Sequence, residues 1–170
     1  PVLKVTANAR TFQMMDDNMD VDLSAIVSGE KTYKEMGREF DQAALLQPTS
    51  PLRSAGDIRG VFAKMQEPGV LSVTSVVEME HPVQWCFRME EKDRITELAT
   101  SPFSHARRQD LEPYYRENGA IFAFLALKAM EPDFDIYKEG CFGYVMPTNR
   151  SIDIDTKMDF RLASLLMEEE

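Results

Sequence analysis

Ala43-Ala44-Leu45-Leu46-Gln47-Pro48-Thr49-Ser50-Pro51-Leu52-Arg53-Ser54 is the stretch whose reading decides the fold. Its four leading apolar residues stop at Gln47-Pro48, and proline cannot donate to a continuing ladder, so Ala43–Leu46 reads as a short buried strand. Ser54 opens the next element with Asp57 three residues on, a capping-box pattern. Behind it Ile58, Val61, Phe62 and Met65 recur at helical spacing. Pro68-Gly69 ends that helix. Val70–Val77 is rich in β-branched residues and apolar nearly throughout, the pattern of a strand covered on both faces. Strand, capped helix and strand predict a right-handed βαβ unit with parallel strands, and therefore an α/β domain with a mostly parallel sheet.

Working outward, Asp20–Met36 carries a loose helical stripe with Gly37 as its stop, whereas Pro1–Met19 has too little periodicity for any element. Trp85–Met89 and Arg94–Leu98 flank the polar run Glu90-Glu91-Lys92-Asp93, which predicts a hairpin standing off the main sheet. Ala120–Phe124 reads as a strand, Ala126–Met130 as a short helix and Gly143–Met146 as another strand. A last helix is expected from near Thr156, turning Met158, Leu162, Leu165 and Leu166 inward.

Composition bounds the rest. The chain has 170 residues, enough for one substantial core, so a single domain is expected. No apolar run approaches the ~20 residues that span a bilayer, and no basic-then-apolar leader opens the chain, so a cytoplasmic protein without a membrane partner is expected. The two cysteines, Cys86 and Cys141, have no metal-type spacing and read as reduced and buried. A formal net charge of −10 excludes a general nucleic-acid binder, which needs a basic face to displace counterions. An acidic protein that handles phosphate needs a metal or clustered arginine instead.

Both are offered. In Ser151-Ile152-Asp153-Ile154-Asp155 the alternation reads as a strand with Asp153 and Asp155 on one face, roughly 7 Å apart at the backbone and within reach of one divalent cation. The competing account makes Asp155 a helix N-cap and Asp153 an exposed acid. Gln47 sits at a strand's carboxyl end, where open α/β sheets place ligands, and its amide suits a polyhydroxylated one; the alternative is a proline-stiffened turn with a solvated Arg53. Arg107, Arg108 and Arg116 reverse the local sign, either as an anion site or as surface ion pairs. His81 and His105 have no evident acid–base partner. There is no Gly-x-Ser-x-Gly, no P-loop and no zinc spacing.

Four ordered segments, Leu45–Arg53, Arg108–Leu111, Tyr115–Phe122 and Ser151–Thr156, make the chain similar to the acylneuraminate cytidylyltransferases, the CMP-sialic acid synthetases. The resemblance covers roughly Asp41 to Met167. It implies a three-layer α/β/α nucleotide-sugar-transferase-like domain whose hairpin, residues 85–100, is a homodimerisation arm. The implied reaction moves CMP from CTP to the anomeric hydroxyl of a nine-carbon α-keto acid sugar and releases pyrophosphate. Magnesium, or manganese, would be held by Asp153 and Asp155, also the implied catalytic residues. The implied substrate contacts are Gln47, Arg108 (across a dimer interface), Asn118, Phe122 and Phe134. N-acetylneuraminate or a pseudaminic, legionaminic or 3-deoxy-manno-octulosonic acid would be the acceptor. The chain departs from the pattern in two places. Gln84 stands where the family often has lysine, and the Gly-rich basic loop that cradles the CTP phosphates is missing. A fragment, or a non-catalytic dimerisation or sugar-binding remnant, is therefore the alternative, and the polypeptide alone is expected to be weakly active or inactive.

Overall fold

A computed structural model of the chain describes residues 2–6, 35–37, 40–97, 106–129, 131 and 133–168. In chain order the elements are β1 (Val2–Thr6), β2 (Gln42–Leu46), α1 (Ala55–Lys64), β3 (Ser72–Glu78), β4 (Phe87–Met89), β5 (Ile95–Glu97), β6 (Tyr115–Leu125), α2 (Ala126–Ala129), β7 (Cys141–Val145) and α3 (Lys157–Glu168). The main sheet has the order β1-β2-β6-β3-β7. β1 runs parallel to β2 and β7 parallel to β3, whereas β6 is antiparallel to both of its neighbours, β2 and β3.

The α/β class therefore holds, with four strands sharing one direction and a single reversed strand among them. β2 and β3 do run the same way, as the βαβ reading requires, but they are not neighbours: β6 lies between them. β6 is also longer than its apolar centre suggests, because it runs out to the exposed Tyr115. Its register on β3 slips between Thr74 and Val76. The helix expected over Asp20–Met36 falls on residues outside those described, apart from its end, where Gly37 has φ +72° as a helix stop demands.

α1 forms as its sequence requires. Ser54 Oγ accepts from the Asp57 N–H at 3.1 Å, and the Asp57 carboxylate accepts from the Ser54 N–H at 2.8 Å, closing the capping box. Val61 and Met65 then pack into a core with Ala44, Leu46, Val73, Ile121, Ala123 and Met146, flanked by Ile58 and Phe62. The opposite face of the sheet buries Ala43, Leu45, Phe122 and Phe124 beneath Ile136, with Phe134 against them. That two-sided burial is why these strands read as continuous apolar runs. β4 and β5 pair only with each other, as the separate hairpin expected.

Four expectations need correction. β1 exists where no element was expected; it is set by pairing with β2 rather than by its own pattern. Ser151–Asp155 is not a strand but a loop that follows a turn at Thr148–Arg150, and Ile152 and Ile154 are only half-buried. α3 does not turn its apolar residues inward: Met158 is 68% and Leu165 60% exposed, Leu162 is exposed as well, and Ala163 is the helix's buried residue. Cys86 and Cys141 are free but partly exposed rather than buried.

Candidate functional site

The site forms where two loops meet the start of β6's apolar stretch. After β2, the chain turns at Pro48-Thr49, and Arg53 Nη1 reaches back to donate to the carbonyls of Gln47 and Ser50, at 2.7 Å for the latter. Burial lowers the Arg53 pKa, but its guanidinium starts so far above neutral pH that it stays charged. The loop from Ser151 lies against this turn, with the Ile154 N–H donating to the Thr49 carbonyl at 2.8 Å. Ser50, fully buried, shares its single Oγ–H proton between the Asn118 carbonyl at 3.2 Å and Asp153 Oδ1 at 3.4 Å.

Gly119 marks the point of convergence. It has φ +69°, and a Cβ built there would stand 2.6 Å from Gln47 Oε1, 3.1 Å from Asp153 Oδ2 and 3.2 Å from Ser50 Oγ. Only a residue without a side chain lets these three oxygens close in, and only glycine takes that φ without strain. The sheet thus brings together an amide, a hydroxyl and a carboxylate from positions up to 106 residues apart (Gln47 to Asp153).

Asn118 is the joint behind this group. It is 1% exposed; its Nδ2 donates to Ser151 Oγ at 2.9 Å, and its Oδ1 accepts from Ser75 Oγ at 2.6 Å and from the Ala120 N–H at 3.2 Å. Ser151 Oγ passes its own proton to the Pro147 carbonyl at 2.8 Å. These bonds consume most of the amide's capacity, so Asn118 acts as a scaffold for the acid loop.

Beside the convergence point is a polar cleft of about 270 Å³ lined by Arg116, Ser151, Ile152, Asp153, Asp155 and Asp159. The helix-capping account of Asp155 fails here, because Thr156 caps α3. Thr156 Oγ accepts from the N–H groups of Met158 and Asp159 at 3.2 and 3.3 Å, and Asp159 Oδ2 accepts from the Thr156 N–H at 2.7 Å. Hydrogen bonds from Thr156 and Asp155 hold the Asp159 carboxyl below its ordinary pKa. The Asp155 side chain is exposed to the cleft and is not used in the cap. Among the described residues no group of three or more His, Cys, Asp or Glu forms a ready-made metal cage. Of the three carboxylates in this open polar cleft Asp159 is engaged in the cap of α3, and the other two, Asp153 and Asp155, suit a hard cation that keeps waters and takes its remaining ligands from a phosphate substrate.

The chain is similar to several known proteins. The chain is 24% identical over 152 residues to the pseudaminic acid cytidylyltransferase of Campylobacter jejuni, covering 89% of this chain and 65% of that protein's length. It is 33% identical over 132 residues to the N-acylneuraminate cytidylyltransferase of Streptococcus agalactiae, covering 74% of this chain and 29% of that one. In fold it is similar to the structure of CMP:2-keto-3-deoxy-manno-octonic acid synthetase complexed with CTP, at TM-score 0.57 and 13% identity over 98% of this chain and 80% of that one. The chain is thus similar, over most of its length, to the acylneuraminate cytidylyltransferases. A family described as D-galactarate/altronate dehydratase, C-terminal, also matches residues 1–48, a stretch that ends at Pro48, before Ser50, Asn118 and the acid loop. The chain spans 65% of the length of the Campylobacter cytidylyltransferase.

Of the residues expected at the site, Gln47 and Asp153 meet at Gly119, and Asp155 joins Asp153 in the cleft. Arg108 lies elsewhere, in an exposed turn beyond β3, with a loose 3.8 Å ion pair to Glu78. Phe122 is 3% exposed, and Phe134 packs on Phe124 at 5.6 Å between ring centroids; neither lines the polar cleft. The sequence passes over Ser50 and Asp159, and it leaves Arg116 open between an anion site and a surface ion pair. Ser50 and Arg116 stood inside the quoted motifs, but nothing in their spacing told that they face Asp153 or its cleft. A second cleft of about 360 Å³, mostly apolar, is lined by Thr74, Val76, Glu117, Tyr137, Cys141, Phe142 and Gly143. The buried Thr74 hydroxyl has no hydrogen-bond partner there.

Proposed function

We propose that this protein, like its relatives, is a CTP-dependent cytidylyltransferase that moves CMP onto the anomeric hydroxyl of a nine-carbon α-keto acid sugar. The anomeric oxygen forms a bond to the α-phosphorus of CTP, the bond to the bridging oxygen breaks, and pyrophosphate leaves. The observation that carries the reading is the meeting of Gln47, Ser50 and Asp153 around Gly119, beside a cleft that adds Arg116 and Asp155.

Each residue has a part that its chemistry suits. Gln47, held by Arg53 at its backbone, presents an amide that donates to and accepts from sugar hydroxyls. Arg116 is the cation on the wall of an otherwise acidic cleft, matched to phosphate or to the acid's carboxylate. Asp153, fixed by Ser50, and Asp155 would hold magnesium or manganese, which when bound neutralises triphosphate charge as it develops on the leaving group. Arg108, exposed and not among the residues lining the cleft, suits a contact made across a homodimer through the 85–100 arm. That arm presents the apolar side chains of Phe87, Met89 and Ile95 to solvent, each more than half exposed. Asn118, Phe122 and Phe134 support the site from behind, the first through Ser151 and the other two through the sheet's second core.

The test is pyrophosphate release by the full-length protein from CTP with N-acetylneuraminate, pseudaminate, legionaminate or 3-deoxy-manno-octulosonate. Turnover with one of the three nine-carbon acids that requires Mg2+ and stops with EDTA is the expected result, and turnover with the eight-carbon octulosonate alone would overturn the nine-carbon assignment. Absence of turnover with every acid, while the protein still binds one of them, would favour the remnant reading.

A further inference from the structure

Asp57 does more than close the capping box of α1. Its carboxylate is 2% exposed, and Arg150 docks on it with both arms of the guanidinium fork, Nε to Oδ2 and Nη2 to Oδ1, each at 2.9 Å. Ser54 adds its N–H at 2.8 Å and its hydroxyl at 2.7 Å to the same carboxylate. Arg150 is the last residue of the turn Thr148–Arg150, and Ser151, the residue that Asn118 grips, follows it immediately. Two residues further on stands Asp153. Meanwhile Arg53, just before the Ser54 cap, holds the Gln47–Ser50 turn by its carbonyls. One helix start, residues 53–57, is thus tied to both loops that form the site: to one through Arg53, to the other through Asp57 and Arg150.

From this geometry we infer that Asp57 and Arg150 are a positioning pair, which holds the acid loop against the Gln47–Ser50 turn and thereby sets the affinity of Asp153 and Asp155 for a divalent cation. The two-point fork is what makes the pair a positioning device. A bidentate guanidinium–carboxylate contact fixes angle as well as distance, which a lysine ammonium does not. The hydrogen bond from the Ile154 N–H to the Thr49 carbonyl reports the juxtaposition directly, since it exists only while the two loops are in register. Neither residue of the pair lines the polar cleft, so any effect on the cation must act through the loop.

The cation half of this inference rests on the proposed function; the loop half does not. The experiment uses the full-length protein and three variants: Arg150→Lys, which keeps the charge and loses the fork, Arg150→Gln, and Val70→Ala. Val70 is a core residue just beyond the far end of α1, so its truncation lowers stability without touching either loop. Hydrogen exchange of the Ile154 amide and the Kd for Mn2+ are measured on each. Arg150→Lys is expected to speed Ile154 exchange about tenfold relative to core amides of β3 and to weaken Mn2+ about tenfold, with Arg150→Gln at least as severe. Val70→Ala should leave the Mn2+ affinity unchanged. If Arg150→Lys leaves Ile154 exchange at the wild-type rate, or if Val70→Ala weakens Mn2+ as much as it does, the inference is overturned. A wild type that binds no Mn2+ removes the cation reading, and Ile154 exchange then decides whether the pair positions the loop.

Discussion

Replacing Gly119 by alanine tests the geometry of the site at its narrowest point. The new methyl group would stand 2.6 Å from Gln47 Oε1, 3.1 Å from Asp153 Oδ2 and 3.2 Å from Ser50 Oγ. All three neighbours are side-chain ends, which move cheaply, so the stability cost comes mainly from forcing a residue with a Cβ to φ +69°. That costs about 1–2 kcal/mol, a fall in Tm of roughly 2–8 °C for a chain of this size. The functional cost is larger, because relieving the 2.6 Å contact displaces the Gln47 amide by most of an ångström, and relieving the 3.1 Å contact shifts the Asp153 carboxylate by a few tenths of one. Displacements of that order at a reacting centre cost about 100-fold in rate. The assay pairs thermal unfolding with pyrophosphate release and Mn2+ binding by the full-length protein. A modest loss of stability with a collapse of turnover is expected. Turnover and metal affinity that both stay within threefold of wild type would refute the placement of Gln47 and Asp153 around Gly119.

Three other outcomes follow from the same contacts. Arg150 and Ser54 hydrogen bonds overcome the upward push of burial and hold the Asp57 carboxyl at about 2, against an ordinary value of 3.8. A carboxyl depressed in the folded state contributes stability above its unfolded pKa and loses it as pH falls; here about 2 kcal/mol should disappear between pH 3.8 and about 2. Urea unfolding across that range should show this acid limb in the wild type and a flatter one in Asp57→Asn. Asp155→Asn should change stability by less than about 0.5 kcal/mol, since the side chain is exposed, yet weaken Mn2+ at least tenfold by titration. Gly60→Ala sets a helix-propensity gain of about 1 kcal/mol against a Cβ only 2.5–2.7 Å from the Tyr144 ring. Overpacking against a ring held on β7 costs about 1–3 kcal/mol, so a net loss by denaturant midpoint is expected, and Gly60→Ala with Tyr144→Leu should recover it.

Where a segment's own chemistry specified its structure, the sequence was sufficient. Ser54 and Asp57 announce the start of α1 because both halves of the capping box lie three residues apart, and the hairpin around Glu90–Asp93 is set by its polar turn. Strands β2 and β3 read correctly because both faces of each are buried. Ser151–Asp155 misled because alternation of acids and isoleucines is compatible with a strand, but its backbone bonds go to turns instead. The Ser151 N–H turns back to Thr148, and the Ile154 N–H crosses to Thr49. α3 misled in the opposite way: an amphipathic stripe predicts an inward face, and here Met158, Phe160 and Leu165 remain exposed.

The amino-acid sequence by itself determined the class of the fold, the capped helix, and the identity of the groups with chemistry to offer: Gln47, Arg116, Asp153 and Asp155. Only the tertiary structure decided which of them meet. The single reversed strand β6, slipped between β2 and β3, carries Arg116, Asn118 and Gly119 to the loop after β2 and to the acid loop that follows β7. Strand order and direction arise from pairing between distant segments, which no local pattern encodes. For that reason Ser50 could not be recognised as the partner of Asp153, and Arg150 could not be recognised as the anchor of the acid loop, until the sheet had placed them together.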